Sequence, residues 1–159
     1  ANHLKWDEGL WAEHLQRRNP DLYIFFYGTN EATDTNQKIE VYERNLEKVL
    51  DRFRKASPEA SCLIMAPGDF PKKTPEGTWV ARPRVQEIIN IQREMAYEKG
   101  CGFWDTRAFM GGVGAMETWS NARPQMASKD HIHFTRRGYV RIGMALADAL
   151  MIGFDSDES

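Results

Sequence analysis

The stretch Asp21-Leu22-Tyr23-Ile24-Phe25-Phe26-Tyr27, which stops at Gly28-Thr29-Asn30-Glu31, decides the fold class. An unbroken apolar and aromatic run of this length is the pattern of a strand covered on both faces. The Gly and Asn straight after it mark a turn. Upstream, Trp6, Leu10, Trp11, His14 and Leu15 recur at helical spacing, and Asn19-Pro20 ends that helix. His14 falls on the apolar face and is read as a core-edge histidine. Downstream, Ile39, Tyr42, Leu46, Val49, Leu50 and Phe53 form one stripe, closed by Ser57-Pro58. Cys62-Leu63-Ile64-Met65-Ala66 then reads as a second buried strand. A loop rich in Pro, Gly and Lys runs from Pro67 to about Pro83. The third helix shows Val85, Ile88, Ile89, Met95 and Ala96, ends at Gly100, and leads into a short strand at Gly102-Phe103-Trp104. After Asp105 comes a long segment, Thr106 to Lys129, and then a helix from about Arg136 to Met151 with Thr135 as its N-cap. The acidic end, residues 153–159, is expected to be a disordered tail.

Helices alternating with short buried strands imply an α/β domain with a parallel sheet and helices on both faces. A chain of 159 residues has room for one such domain, 1–159. The formal charge is -2 with basic residues evenly spread, so nucleic acid is not an expected partner. No apolar run approaches the roughly 20 residues that span a bilayer. The chain opens Ala-Asn-His-Leu-Lys, which reads as the interior of a longer precursor, and the compartment cannot be taken from it. Cys62 and Cys101 each begin a short apolar run. Burial alone accounts for them, so they are expected to start neighbouring strands as free thiols. They lack metal-ligand spacing, and no metal is expected.

In parallel sheets ligands sit at the carboxyl ends of the strands. The Gly28–Asn30 turn, the Pro67–Pro83 loop and the Asp105–His133 segment all follow strands and are expected to share one rim. Asp130-His131-Ile132-His133 puts a carboxylate and an imidazole three positions apart. The acid can turn back to the near nitrogen of His133, which fixes the tautomer and frees the far nitrogen as a base. Asn30 has a dull reading, tolerance of unusual backbone angles. It also has a chemical one, an amide that donates to a developing oxyanion.

Two motifs make the chain resemble the SGNH, or GDSL-like, hydrolases. The family's third block, Gly-x-Asn-Asp/Glu, is matched by Gly28-Thr29-Asn30-Glu31, and its fifth, Asp-x-x-His, by Asp130-His131-Ile132-His133. The run Met110-Gly111-Gly112 through Trp119, then Phe134-Thr135 and Gly138-Tyr139, is most similar to bacterial members that remove O-acetyl groups from peptidoglycan or other polysaccharides. The resemblance implies a three-layer α/β/α, flavodoxin-like fold. It gives His133 the role of general base and then acid, Asp130 that of orienting it, and Asn30 that of an oxyanion donor. It implies an acylated carbohydrate as substrate, no cofactor, and an extracytoplasmic site of action, periplasmic or secreted.

Two departures accompany the match. The family's nucleophile lies in a Gly-Asp-Ser block well upstream of the third block, but the residues before Gly28 contain no Ser. The second-block Gly has no counterpart, since Gly9 falls inside the first helix. Gly68-Asp69-Phe70 has Phe where Ser is needed, and Asp155-Ser156 follows a helix. Such sheets run in the order 2-1-3-4-5, and this chain supplies only the last three strands. Leu22–Phe26 is then expected to be a bare apolar edge. The nucleophile and the first strands are therefore expected from a separate N-terminal segment or second chain, and residues 1–159 alone are expected to be inactive. The alternative is a catalytically silent module that binds glycan or protein, with Trp79, Trp119 and Tyr27 stacking on sugar rings.

Overall fold

The computed structural model describes residues 2–157, with side chains described for 4–152. The chain forms two compact units, residues 1–67 with 83–105, and residues 68–82 with 106–159.

The first unit holds α1 (Glu8–Arg18), β1 (Leu22–Phe26), a 3-10 turn (Glu31–Thr33), α2 (Ile39–Ala56), β2 (Ser61–Met65), a further helix (Pro83–Lys99) and a short strand (Gly102–Trp104). Its sheet is parallel and three-stranded, with β2 in the middle. Tyr23 pairs with Cys62 and Phe26 with Met65 on one side, while Leu63 pairs with Gly102 on the other. The α/β class with a parallel sheet is as the alternating pattern requires.

The core follows from the helix stripes. Leu46, Val49 and Leu50 of α2 are buried with Val85, Ile88 and Ile89 of the Pro83–Lys99 helix, and Ile64 of β2 is fully enclosed. The Phe53 ring takes the edges of Trp11, Tyr23 and Phe25 at centroid distances of 4.6, 4.7 and 4.6 Å. Each such pair contributes about 0.5–1.5 kcal/mol beyond area burial. Lys99 bridges back to Glu47 and Asp51 of α2 at 3.1 and 2.8 Å.

Three expectations are corrected in this unit. Strand β1 is not covered on both faces: Tyr23 and Phe25 are buried, but Leu22, Ile24 and Phe26 are 38%, 48% and 43% exposed. An apolar run carries no alternation to reveal this, because both faces use the same residue types. Helix α1 forms where its spacing places it, yet buries none of its residues, and Leu10 and His14 are exposed. Of its apolar face, Trp11 packs on Phe53. His14 is thus a surface residue.

The third correction is a disulfide. Cys62 and Cys101 do start neighbouring strands, but they are bonded to each other, with Cα atoms 4.8 Å apart. The physical reason is register. Leu63 lies opposite Gly102, so the residues immediately before them stand side by side, within the separation that a disulfide needs.

The second unit holds β3 (Lys72–Lys73) and β4 (Trp79–Val80). With the Pro83–Lys99 helix numbered α3 and the Gly102–Trp104 strand β5, it also holds α4 (Thr106–Met110), α5 (Ala115–Asn121) and α6 (Arg136–Asp157). The expected Pro67–Pro83 loop thus contains an antiparallel hairpin, Lys73 opposite Trp79. The unassigned Thr106–Lys129 segment contains α4 and α5. Both helices are too short to show a period. Asp69 accepts the Met116 amide at 3.0 Å, placing a carboxylate in the first turn of α5. The Gly68-Asp69-Phe70 sequence is therefore part of this unit's packing. Trp119 is buried and donates its Nε1–H to the Met110 carbonyl at 3.0 Å, with Phe109 and Phe134 against its ring.

Thr135 caps α6 as expected: its Oγ1 accepts the Gly138 amide at 3.3 Å. A side chain at Gly138 would collide with the Met126 carbonyl, so this position admits only glycine. The helix runs on through Asp157, past the Met151 suggested by apolar spacing. The last of the expected tail, 158–159, lies outside the described residues.

Candidate active site

The first unit contributes the turn after β1. Gly28 takes φ 119°, a region closed to L side chains at low cost. Asn30 does not share that strain. Its backbone is ordinary right-handed helical, φ -68° and ψ -41°, and its side chain makes no capping hydrogen bond. Backbone tolerance is therefore not why an Asn stands there. The turn is held by other groups. The Glu31 carboxylate accepts the Gly28 amide at 3.2 Å, the Ala32 amide donates to the Gly28 carbonyl at 2.9 Å, and Arg84 Nε donates to the Glu31 carbonyl at 3.0 Å. Beneath it, Gln92 donates through Nε2 to the Tyr27 carbonyl at 3.0 Å and the Tyr42 hydroxyl at 2.9 Å. Burial pushes the Tyr42 phenol well above its ordinary range.

The second unit contributes Asp130 and His133. Asp130 folds back over its own loop. Its Oδ1 accepts the Ile132 and His133 amides at 2.9 and 3.0 Å, and its Oδ2 faces His133 Nδ1 at 2.8 Å. A carboxylate only accepts, so Nδ1 carries the proton and Nε2 presents its lone pair. The His133 side chain is 68% exposed, leaving that lone pair open to solvent or substrate. The hydrogen bond from His133, then the two backbone amides, hold the Asp130 carboxyl down at about 2. The spacing of three residues is what lets one carboxylate serve all three donors.

In this Asx-type turn the residue after Asp130 is left-handed. His131 has φ 58°, unusual for a residue with a side chain. Its ring is buried, stacked on Trp79 at 4.0 Å, with Nδ1 at 2.9 Å from the Lys129 carbonyl and Nε2 at 3.2 Å from Ser120 Oγ. Ser120 and His131 superficially make a nucleophile–base pair. Both are buried and the ring's other nitrogen meets a carbonyl rather than a carboxylate. This pair is packing; Trp79 has His131 stacked against its ring, and Trp119 is buried. Sequence reading assigns no role to His131, Ser120, Arg84 or Gln92, and takes Trp79 for a sugar-stacking ring. None stands in a pattern, and only the folded chain shows what they touch.

The structure therefore brings Asp130 and His133 into direct hydrogen-bonding contact, and puts Asn30 on the other unit with its side chain exposed. Residues 2–141 match the GDSL-like lipase/acylhydrolase family. The chain belongs to that family. No curated protein matches it. Among solved structures, a peptidoglycan O-acetylesterase superposes with a TM-score of 0.83 at 32% identity, over 91% of this chain and 41% of that one. This chain thus spans about two fifths of that protein's length. A lipase/acylhydrolase from Enterococcus faecalis gives a TM-score of 0.61 at 18% identity, over 93% and 71% of the two chains. An acetyl-xylooligosaccharide esterase from Geobacillus, as a W190I mutant, gives 0.58 at 19% identity, over 91% and 64%. At those identities the last two speak for the fold alone.

Proposed function

We propose that residues 1–159 are the C-terminal part of a serine esterase that removes O-acetyl or similar short acyl groups from a carbohydrate or peptidoglycan. The observation that carries this reading is the Asp130–His133 pair, 2.8 Å apart with the outer nitrogen exposed. A Ser from outside residues 1–159 attacks the ester carbonyl carbon while His133 Nε2 takes its proton. Asn30 donates its amide to the resulting oxyanion. His133 then passes the proton to the departing sugar oxygen, leaving an acyl-enzyme. Water, activated by the same nitrogen, attacks that acyl group and releases acetate and the free Ser.

The need for a second segment rests on chemistry and packing together. The pair read as base and orienter has, among the described residues, no Ser hydroxyl hydrogen-bonded to His133. Strand β1 presents three exposed apolar side chains on one face and pairs through one edge, to β2. We assign the missing Ser and a strand beside β1 to the same N-terminal segment. The Cys62–Cys101 bond suits an oxidising compartment, so the enzyme is assigned to the periplasm or cell exterior. Among the described residues no helix is long and apolar enough to cross a membrane.

The test compares residues 1–159 with the complete polypeptide, measuring acetate release from O-acetylated peptidoglycan, acetylated xylan and a chromogenic acetyl ester. The isolated piece is expected to self-associate and hydrolyse nothing, and the complete chain to be soluble and active. A monodisperse isolated piece, with a complete chain that hydrolyses no ester, would overturn this reading and favour a silent binding module.

A further inference from the structure

We propose that His131 is a positioning residue for the catalytic base: its buried ring is the clamp that holds the Asp130–His133 turn in its productive shape. The inference rests on the reading of His133 as the base and deepens it.

A left-handed residue other than Gly is uncommon, and persists where its surroundings over-determine it. At His131 the surroundings come from three parts of the second unit. Trp79 of β4 stacks on the ring with 23° between planes. Ser120 of α5 meets Nε2 at 3.2 Å. The Lys129 carbonyl, which can only accept, fixes the proton on Nδ1 at 2.9 Å. Ser120 Oγ also donates to the Glu117 carbonyl at 3.0 Å, so its one proton is shared between that carbonyl and His131 Nε2, and both ring nitrogens have a polar neighbour.

The consequence lies next door. Asp130 reaches back to the Ile132 and His133 amides because the chain reverses at His131. Asp130 and His133 are both exposed, so little packing holds them in place. The rigidity that a catalytic base needs is therefore imported from the buried ring between them. Asn in place of His131 still tolerates the left-handed backbone, but has no ring to stack and cannot span the same two partners.

The experiment uses the complete esterase with 15N-labelled histidine. In the parent, His133 is expected to sit in the Nδ1–H tautomer. In folded His131→Asn, that tautomer is expected to give way to a mixture, and kcat to fall by roughly ten- to a hundredfold with KM within twofold, the scale of a misplaced catalytic group. An unchanged tautomer with unchanged kcat would overturn the proposal. So would a rise in KM alone, since that points to substrate contact. If His131→Asn does not fold, Ser120→Ala decides by the same two readings: a weakened tautomer preference with lowered kcat supports the clamp, and parental values overturn it. Should the parent prove inactive on every ester, the functional reading fails separately, and the tautomer still decides whether His131 holds the pair.

Discussion

Replacing Asp130 by Asn puts the orienting role to a direct test, because the turn itself dictates which way the new amide faces. Oδ1 of Asp130 accepts two backbone amides, from Ile132 and His133, while Oδ2 accepts one proton, from His133 Nδ1. An Asn carboxamide keeps both backbone bonds only if its oxygen stays on that side. Flipping it would set its NH2 against two donors and forfeit two hydrogen bonds, each with a net value of about 0.5–1.5 kcal/mol. Unflipped, its NH2 meets His133 Nδ1, and a donor there forces Nδ1 to accept. The proton moves to Nε2, and the lone pair that should take the Ser proton is gone. The turn survives and stability changes little, since both side chains are exposed. Turnover is expected to fall by roughly 10⁴, the scale seen when a triad histidine is held in the wrong tautomer. Initial rates on a chromogenic acetyl ester, alongside 15N shifts of His133 in the complete polypeptide, read both the rate and the tautomer. A folded variant that keeps the Nδ1–H tautomer, or keeps its rate within a few fold, refutes the reasoning.

Asn30→Ala is expected to lower kcat by roughly 10²–10³, as for one oxyanion donor, with the melting temperature unmoved because the side chain caps nothing. Loss of stability with full rate in the folded fraction would make it a turn residue. The Asp130 carboxyl is expected to titrate at about 2, followed by its 13C resonance. The sign follows from that depression: the interaction is complete above the unfolded value near 3.8 and is lost as pH falls through about 2. In His133→Ala the midpoint should move up, since the largest cause is gone; an unmoved midpoint would deny the hydrogen bond. Thiol titration under denaturing, non-reducing conditions should find no free thiol on Cys62 or Cys101. Replacing both by Ser should cost about 3–4 kcal/mol by the loop-closure model for a separation of 39 residues, and two free thiols in the parent would contradict the bond.

Much of this protein was legible before folding. The alternation of stripes and apolar runs is local, so α2, α3, β2 and β5 could be placed from spacing alone, and the parallel sheet followed. Asp130 and His133 were equally legible, because three residues is a distance that the chain closes by itself. What lay beyond reach was everything set by pieces distant in sequence. The Cys62–Cys101 bond depends on the register of β2 against β5. The half-exposed state of β1 depends on what covers each face, which a run of one residue type cannot encode. Helix α1 has the right period and packs Trp11 on Phe53, yet leaves no residue fully buried, since amphipathicity fixes a face but not how deeply it is covered. His131 is the clearest case. By sequence it is a polar neighbour of the motif. Only tertiary structure brings Trp79 and Ser120 to its ring, because burial is a property of the assembled surroundings and not of the residue.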